Sequence, residues 1–237
     1  MDSDRRTRKA TETTESAVVD NREYEAHLER SRTVWDRWSD WYTLSERDFE
    51  PMREDAMDRL ELQPGDRVLD IGCGPGVNFE RLRNEIGPDG ELVAVDYSPE
   101  MVVKARKRVE EHGWKNVEVR RADAARAEFD VPFDGAIATL SMSVMADIRD
   151  TAETIYRALT PDSRFVVFDV RPVPDGPTRV FNPVIRRFLR WYANWNPDES
   201  VIEAFATVFD ECAIVATYNG GCTYTTVCEK RNQSAGG

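Results

Sequence analysis

The stretch Val68-Leu69-Asp70-Ile71-Gly72-Cys73-Gly74-Pro75-Gly76 decides the fold of this 237-residue chain. It completes a short apolar run, Arg67–Ile71, that has the length and composition of a buried β-strand. Three glycines follow, and they let the backbone turn sharply and approach a ligand closely. Since a helix is predicted next, from about Val77 to Ile86, the stretch indicates a strand, a glycine loop and a helix in succession.

Strands and helices continue to alternate after this stretch. Ser98-Pro99-Glu100, for example, has the N-cap serine and the proline that typically begin a helix. The alternation indicates an α/β fold, with a mostly parallel sheet covered by helices on both faces. The predicted strands are Arg67–Ile71, Glu91–Val95, Asn116–Arg121, Phe133–Leu140 and Arg164–Val170, and the helices are Val77–Ile86, Pro99–His112 and Asp150–Leu159.

The pattern changes after Arg171, where prolines and a glycine predict a loop. An inserted helix is predicted from Arg179 to Trp195, within an insertion at about 178–196. Two β-rich runs then follow, and Asn219-Gly220-Gly221 between them suits a tight hairpin. The sheet is therefore expected to end with antiparallel strands, at Ala213–Tyr218 and Cys222–Cys228.

The chain is predicted to form one domain, residues 22–230, with additions at both ends. Residues 1–21 contain little that is apolar and are expected to be a flexible acidic and basic tail. A cap of two helices is predicted next. The first, Tyr24–Trp41, is amphipathic with an aromatic face, and the second is Pro51–Leu62. Residues 231–237 are expected to be frayed.

The charge of the chain limits its partners. The 44 acidic and 32 basic residues give a formal net charge of −12. Because this excess disfavours binding to phosphates, no nucleic-acid partner is expected. Only five of the 32 basic residues are lysines, and arginine with excess carboxylate is typical of proteins from a salt-loaded cytoplasm. We therefore hypothesise a halophilic-type acidic protein.

The cysteines predict small buried thiols. They lie at scattered positions, with only two histidines to join them, so neither a metal site nor a disulfide framework is expected. Packing is the expected role of Cys73. The other three cysteines are Cys212, Cys222 and Cys228.

Hydropathy gives no sign of a membrane span. No run approaches the roughly 18 apolar residues that a spanning helix needs. The charged start Met1–Lys9 has no apolar segment behind it. The expectation is therefore a soluble, cytoplasmic protein.

The spacing of the glycines departs from a dinucleotide-binding fingerprint. That fingerprint reads G-x-G-x-x-G, but Gly76 comes one residue early and position 77 is Val. Asp70 stands just before the glycines, where its charge would repel a pyrophosphate and attract a cation such as an amino-acid ammonium. The loop therefore favours a positively charged ligand.

Two more acids follow the next strands. Asp96 stands twenty positions beyond Gly76, where its carboxylate can accept both hydroxyls of a ribose. Asp123-Ala124 follows the third strand, where an acceptor could meet an adenine amino group. Together with Asp70 they predict a nucleoside that carries a positive group. A helix cap at Asp70, a plain strand end at Asp96 and a surface acid at Asp123 are the alternatives.

Four segments together resemble class I S-adenosylmethionine-dependent methyltransferases, and they are Val68–Gly76, Val93–Asp96, Asp123–Ala124 and Phe133–Leu140. The resemblance covers about residues 60 to 230. It implies S-adenosylmethionine as the cofactor and methyl transfer as the reaction. It also implies a Rossmann-like, seven-stranded, mostly parallel sheet in the order 3-2-1-4-5-7-6, with the last strand antiparallel and helices on both faces.

The resemblance also implies roles for individual residues. Asp70 would lie near the ammonium of the cofactor, and Asp96 would bind its ribose. The other implied cofactor-binding residues are Gly72, Cys73, Gly74 and Gly76 around the methionine part, Tyr97 and Met101 beside the adenine, Asp123 and Ala124 at its amino group, and Leu140 and Ser141 on the methionine side.

Two segments loosely resemble the quinone-biosynthesis and phospholipid amine N-methyltransferases. They are Trp35–Tyr42 and Gly220–Lys230. The resemblance implies a small or lipid-like acceptor with a quinone or amine headgroup. His27 in the leading helix and His112 at a helix end are poorly placed for a general base, so no catalytic residue is named.

Two other functions stay open. An NAD-dependent oxidoreductase could use a similar sheet, but the position of Gly76 and the charge of Asp70 disfavour it. A non-catalytic nucleoside-binding scaffold could keep the fold, but the intact glycines and Asp96 argue against it. The sequence predicts no oligomeric state.

The inserted helix combines aromatic and aliphatic side chains with four arginines. Three interpretations are open, namely buried packing, a lid over an apolar substrate, and peripheral contact with a membrane surface through residues 180–195. The arginines are Arg179, Arg186, Arg187 and Arg190.

Overall fold

The computed structural model describes residues 21–37, 49–197 and 200–232. The strands are β1 (Arg67–Ile71), β2 (Glu91–Asp96), β3 (Val117–Arg121), β4 (Phe133–Thr139), β5 (Leu159–Val170), β6 (Glu211–Tyr218) and β7 (Thr223–Lys230). They form one sheet in the order β3-β2-β1-β4-β5-β7-β6, which confirms the predicted order. β1 to β5 are parallel, and β7 runs antiparallel to both β5 and β6. The carboxyl ends of β1 to β5 therefore meet at one edge.

Seven α-helices are described. They are α1 (residues 21–37), α2 (Glu50–Asp58), α3 (Phe79–Ile86), α4 (Pro99–His112), α5 (Ile148–Ala158), α6 (Asn182–Ala193) and α7 (Val201–Val208). The predicted beginning of α4 is confirmed, because the Ser98 hydroxyl accepts a hydrogen bond from the backbone N–H of Met101. Short 3-10 helices lie at Met142–Val144 and Pro177–Phe181.

Helices cover the sheet on both faces, as predicted. Apolar residues of α5 and α7 pack in one core cluster, and those of α2, α3 and α4 pack in the other. Successive residues of β1 alternate between the two clusters, since Val68 faces the second and Leu69 the first. The buried sheet therefore fixes where the loops at its carboxyl edge begin.

Two helix predictions need correction. α2 ends at Asp58 and not at Leu62, because the chain turns at Arg59 and Leu60 and then takes a positive φ of 55° at Glu61. The sequence reading also missed α7. Its buried residues Val201, Ala204 and Phe205 pack into the core beside α5, whereas Glu203 and Thr207 are exposed.

The expectation of free thiols is wrong for two cysteines. Cys212 of β6 faces Cys228 of β7 across the antiparallel pairing, and the two form a disulfide bond. The register of the two strands brings together residues that are 16 positions apart in the sequence. Cys73 and Cys222 are free cysteines, and Cys73 is buried as expected.

The inserted helix is present as α6, but buried packing is wrong for it. None of its side chains is fully buried, and several large apolar ones are exposed. No helix in the described part of the chain is both long and apolar enough to cross a membrane.

Predictions for residues 1–20, 38–48 and 233–237 lie outside the described residues. At the described ends, Asn21 lies in α1. The backbone N–H groups of Arg231 and Asn232 donate to the carboxylates of Asp210 and Asp162.

Candidate functional site

A cavity of about 810 Å³, including the part open to solvent, lies at the carboxyl edge of the sheet. Its position agrees with the general rule that open α/β sheets bind ligands beyond the carboxyl ends of their strands. Nine of the twelve predicted cofactor residues line it, and they are Gly72, Gly74, Asp96, Tyr97, Met101, Asp123, Ala124, Leu140 and Ser141.

The loops after β1 and β4 touch at the floor of the cavity. The Ser141 hydroxyl donates to the carbonyl of Ile71 at 2.8 Å. A Cβ atom on Gly72 would lie only 2.4 Å from the Ser141 Cβ, and Gly72 has a φ of 64°. Only glycine therefore allows this approach without strain.

Asp96 is held in place by the glycine loop and by its own turn. One carboxylate oxygen accepts from the backbone N–H of Gly74 at 2.9 Å, and the other accepts from that of Ser98 at 2.8 Å. Each oxygen keeps a further lone pair for a ligand. The side chain can therefore accept two hydroxyl groups from the cavity.

The electrostatics of Asp96 favour a ligand that donates hydrogen bonds. Its side chain is partly buried and lines the cavity. Burial raises the pKa of Asp96 to about 6, although the N–H groups of Ser98 and Gly74 act in the opposite direction. The carboxylate is therefore mostly ionised at neutral pH. Its two oxygens can accept hydrogen bonds from a ligand in the cavity.

Asp70 lies behind the cavity wall and does not line it. It is fully buried, and the side-chain N–H of Asn78 donates to it at 3.2 Å and to Thr139 at 3.1 Å. Burial raises the pKa of Asp70 to about 7. Asn78 precedes α3, so the acid lies at the beginning of that helix, where a pyrophosphate would otherwise bind.

Cys73 and Gly76 also lie outside the cavity lining. Cys73 belongs to a core cluster, and burial raises the pKa of its thiol, so the thiol stays protonated. A Cβ atom on Gly76 would lie 2.4 Å from the ring of Phe79. Both residues therefore support the loop through packing.

Asp123 connects the cavity to α1. The Tyr24 hydroxyl donates to one oxygen of Asp123 at 2.5 Å, and the backbone N–H of Ala125 donates to the other at 3.2 Å. The guanidinium of Arg126 lies 4.3 Å from the centre of the Tyr24 ring. α1 is thus attached to the acid that was predicted to meet adenine.

α1 forms one wall of the cavity, a position that no sequence pattern predicted. His27 contacts the carbonyl of Val144 at 2.9 Å, and Ser98 donates to Asp36 at 2.6 Å. The amphipathic pattern indicated a helix, but not what its apolar face covers. The α1 residues in the lining are Tyr24, Leu28, Ser31, Arg32 and Trp35.

Further lining residues lie at strand ends and in the loop after β4. Leu140, which was predicted, has a φ of 56° that is uncommon for such a side chain, and its N–H donates to Phe168 at 2.7 Å. No sequence signal singled out the others, because they are ordinary apolar or hydroxyl residues. They are Val95, Ser98, Ala122, Thr139, Val144, Met145, Ala146 and Thr151.

Neither histidine lines the cavity. His112 stacks on Trp114 at 4.5 Å, and His27 faces the loop after β4. Within the described ranges, no group of three His, Cys, Asp or Glu side chains is placed to hold a metal ion. The cavity therefore offers hydrogen-bond acceptors and apolar walls.

The sheet order, the glycine loop after β1 and the acid that ends β2 are those of class I S-adenosylmethionine-dependent methyltransferases. A family model described as a methyltransferase domain matches residues 62–199, which is more than half of the chain. The chain belongs to this methyltransferase family.

Two curated relatives share part of the sequence. An arsenite methyltransferase from Halobacterium salinarum is 32% identical over 118 residues, which are 48% of this chain and 30% of the relative. A 2-phytyl-1,4-naphtoquinone methyltransferase from Nostoc sp. is 27% identical over 169 residues, which are 70% of each protein. The chain spans about half the length of several other curated methyltransferases that it matches.

A solved structure shares the fold at low sequence identity. It is phosphoethanolamine N-methyltransferase 2 from Haemonchus contortus, in complex with phosphomonomethylethanolamine and S-adenosylhomocysteine. The TM-score is 0.67 at 15% identity, and the match covers 85% of this chain and 60% of the other.

Proposed function

We propose that this protein transfers a methyl group from S-adenosylmethionine to a small or lipid-like acceptor of the quinone or amine headgroup type. One observation carries the proposal. A single cavity brings together the glycine loop, Asp96 and Asp123 on one side and the apolar wall of α1 on the other. Family membership and the names of the relatives support the same reaction.

The residues present fit the cofactor. Gly72 and Gly74 line the cavity, and neither carries a side chain that would obstruct a bound cofactor. Asp96 is already oriented by two N–H groups and can accept both ribose hydroxyls. Asp123 and Met101 line the same cavity, where they would contact the adenine.

The acceptor side of the cavity is mainly apolar. Leu28, Trp35 and Met145 line it together with Leu140. Apolar walls favour an acceptor with a hydrophobic ring or chain. The naphthoquinone substrate in the name of one relative has this character.

The mechanism that we propose relies on alignment and exclusion of water. When bound, S-adenosylmethionine supplies an electrophilic methyl group on a positively charged sulfur. Gly72 and Asp96 would fix the position of this group, and α1 would keep water from the cavity. Since no histidine lines the cavity, the proposal includes no general base.

Calorimetric titration with S-adenosylhomocysteine and with NAD separates this proposal from the oxidoreductase alternative. We expect binding of S-adenosylhomocysteine only, because the antiparallel end of the sheet and the buried Asp70 differ from a dinucleotide-binding fold. D96A should weaken binding at least tenfold. Binding of NAD alone would support the alternative, and binding of neither ligand would support a non-catalytic scaffold.

The acceptor can be identified with an isotopically labelled methyl donor. The protein is incubated with metabolite and lipid extracts, and labelled products are detected by mass spectrometry. We expect labelled product in the lipid fraction, and D96A should form less of it when the methyl donor is below saturation. Label confined to water-soluble metabolites would contradict a lipid-like acceptor but not methyl transfer.

A further inference from the structure

α6 and the 3-10 helix before it expose a continuous apolar surface. Val184, Phe188 and Trp191 follow one another at the four- and three-residue spacing of one helix face. Their exposed fractions are 69%, 52% and 66%, and those of Val180 and Phe181 are 73% and 60%. We call these five residues the α6 apolar surface.

This surface is unusual for the molecule. Nine large apolar side chains are exposed among the described residues, and five of them belong to the α6 apolar surface. The other four are spread over α4, β6 and the segment before β4. Single exposed apolar residues are ordinary, but a contiguous group marks a binding surface.

The charge around this surface is opposite to that of the whole chain. Residues 176–197 contain four arginines and no acidic residue, whereas the chain has a net charge of −12. Arg187 and Arg190 lie beside the apolar stripe on the helix. Among the ion pairs of the described residues, none includes Arg179, Arg186, Arg187 or Arg190.

Apolar side chains flanked by arginines suit the surface of an anionic lipid bilayer. Apolar groups enter the boundary between headgroups and acyl chains, while long basic side chains reach the headgroups. Basic side chains near such a surface are attracted by its negative potential. A second copy of the chain fits less well, because a symmetric contact through this surface would bring two sets of four arginines together.

The beginning of α6 is attached to the carboxyl edge of the sheet. The Asn182 side chain accepts from the N–H of Val173 at 2.9 Å and donates to its carbonyl at 3.0 Å. Val173 lies three residues after β5. The apolar surface therefore starts beside the edge that carries the cavity.

The end of α6 is attached to the cavity wall. The Asn194 side chain donates to the hydroxyl of Ser31 at 2.7 Å, and that of Asn196 donates to the carbonyl of Met145 at 3.1 Å. Ser31 and Met145 both line the cavity. A bilayer in contact with α6 would consequently lie next to the wall formed by α1 and the loop after β4.

We propose that the α6 apolar surface docks on an anionic lipid bilayer and that the acceptor reaches the cavity from that bilayer. The second half of this inference rests on the proposed methyl transfer. Docking would bring the apolar wall of the cavity to the depth at which lipid-like headgroups are found. The proposed binding partner is the bilayer itself. Phosphatidylglycerol supplies the negative charge of the bilayer in the experiment.

Co-sedimentation with vesicles tests the docking. Wild-type protein is mixed with vesicles of phosphatidylcholine alone or with phosphatidylglycerol, at the lowest KCl concentration at which circular dichroism shows the native fold. We expect at least tenfold stronger binding to the anionic vesicles. F188S/W191S and R187Q/R190Q should each lower that binding at least tenfold. Because α6 has no buried side chain, both variants should fold.

Matched variants remove the same kinds of group elsewhere. V103S/V131S removes two exposed apolar side chains, and K107Q/K115Q removes two exposed positive charges outside α6. Both should bind vesicles like the wild type. Absence of wild-type binding, or equal loss in the controls, would overturn the docking. Light scattering gives a further test. If the wild type is a dimer that F188S/W191S converts to a monomer while vesicle binding is unchanged, the docking is overturned.

Titration of the same preparations with S-adenosylhomocysteine separates the two proposals. Cofactor binding without vesicle binding contradicts the docking alone. Vesicle binding without cofactor binding contradicts the proposed methyl transfer and leaves the docking intact.

Discussion

Gly72 and Gly113 have the same left-handed backbone but different surroundings. Their φ angles are 64° and 65°, yet a Cβ on Gly72 would strike Ser141, whereas one on Gly113 would meet nothing within 4 Å. G113A should therefore cost about 1 kcal/mol through backbone strain alone. G72A should cost a further 1–3 kcal/mol, roughly, from overpacking. Chemical denaturation of both variants measures the difference.

A compensating substitution checks the cause. S141G removes the Cβ that G72A would strike, but it also removes the hydrogen bond from Ser141 to the Ile71 carbonyl. In a double-mutant cycle, G72A should therefore cost less in the S141G background than in the wild type, because only the strain remains there. Equal costs for G72A and G113A would show that the loop after β1 can move away from Ser141.

Asp70 makes the stability of the cofactor-free protein depend on pH. Because burial raises its pKa from 3.8 to about 7, the native state binds more protons than the unfolded state between these values. Its contribution to the free energy of unfolding therefore falls as pH rises from about 4 to about 7, and then stays constant. Three pKa units correspond to about 4 kcal/mol.

D70N should remove this loss. An asparagine keeps an acceptor for Asn78 and offers an N–H to the Asn78 oxygen, which has no partner within the described residues. We expect D70N to match the wild type near pH 4 and to exceed its stability at pH 8, as measured by urea denaturation. D89N, in an exposed turn, is the control. A difference that does not change with pH would contradict the explanation.

Individual site residues could be predicted when they stand at strand ends. Asp96 and Leu140 directly follow apolar runs, so both could be placed at the carboxyl edge of the sheet. Their contacts and backbone angles could not be predicted. Asn78 and Thr139 bond to each other in the interior, and no local pattern marks such a pair. Their contact depends on the packing of β1, β4 and α3.

At the scale of elements, the attachment of α1 should control access to the cavity. Tyr24 holds the helix to Asp123 through a hydrogen bond of 2.5 Å, and a hydrogen bond to a charged group contributes about 1.5–3 kcal/mol. Y24F should therefore raise the dissociation rate of S-adenosylhomocysteine about tenfold. Stopped-flow fluorescence of the α1 tryptophan Trp35 and its neighbours can follow release.

Y156F is the matched control for this experiment. Tyr156 lies on α5, away from the cavity, and its hydroxyl also donates to an aspartate, Asp210. Release from Y156F should be unchanged. Tighter binding by Y24F would mean that Tyr24 competes with the cofactor for Asp123.

The two element-scale errors have different physical origins. α7 had a usable signal, because Ser200 and Glu203 form the serine–glutamate spacing of a capping box, and the Ser200 hydroxyl accepts from the Glu203 N–H at 3.4 Å. The disulfide had none. Pairing of Cys212 with Cys228 depends on the β6–β7 register, which shifts at an irregularity between Ile214 and Ala216.

For the whole molecule, the sheet order was predictable because it follows from a family resemblance across several segments. The position of α1 was not predictable in this way. Tyr24 meets Asp123 across 99 residues of sequence, and Asn194 meets Ser31 across 163. Such contacts depend on the assembled edge of the sheet and leave no periodic signal.

The net charge of −12 predicts that salt stabilises the molecule. Repulsion between its many carboxylates acts over long distances and is screened as the Debye length falls from about 10 Å at 0.1 M salt to about 3 Å at 1 M. Ion pairs such as Arg67–Glu91 at 2.6 Å and Arg59–Asp55 at 3.0 Å are close enough to keep much of their attraction. The loss of repulsion should therefore exceed the loss of attraction.

We expect the thermal unfolding midpoint to rise with KCl concentration, with most of the gain below about 1 M because screening is then nearly complete. Differential scanning calorimetry from 0.1 to 3 M KCl measures the curve, and equal osmolarity of sucrose distinguishes screening from exclusion of the cosolvent. A gain confined to the range above 1 M would point to such exclusion. A constant midpoint would contradict the halophilic hypothesis, because the acidic surface would then impose no repulsion that salt can relieve.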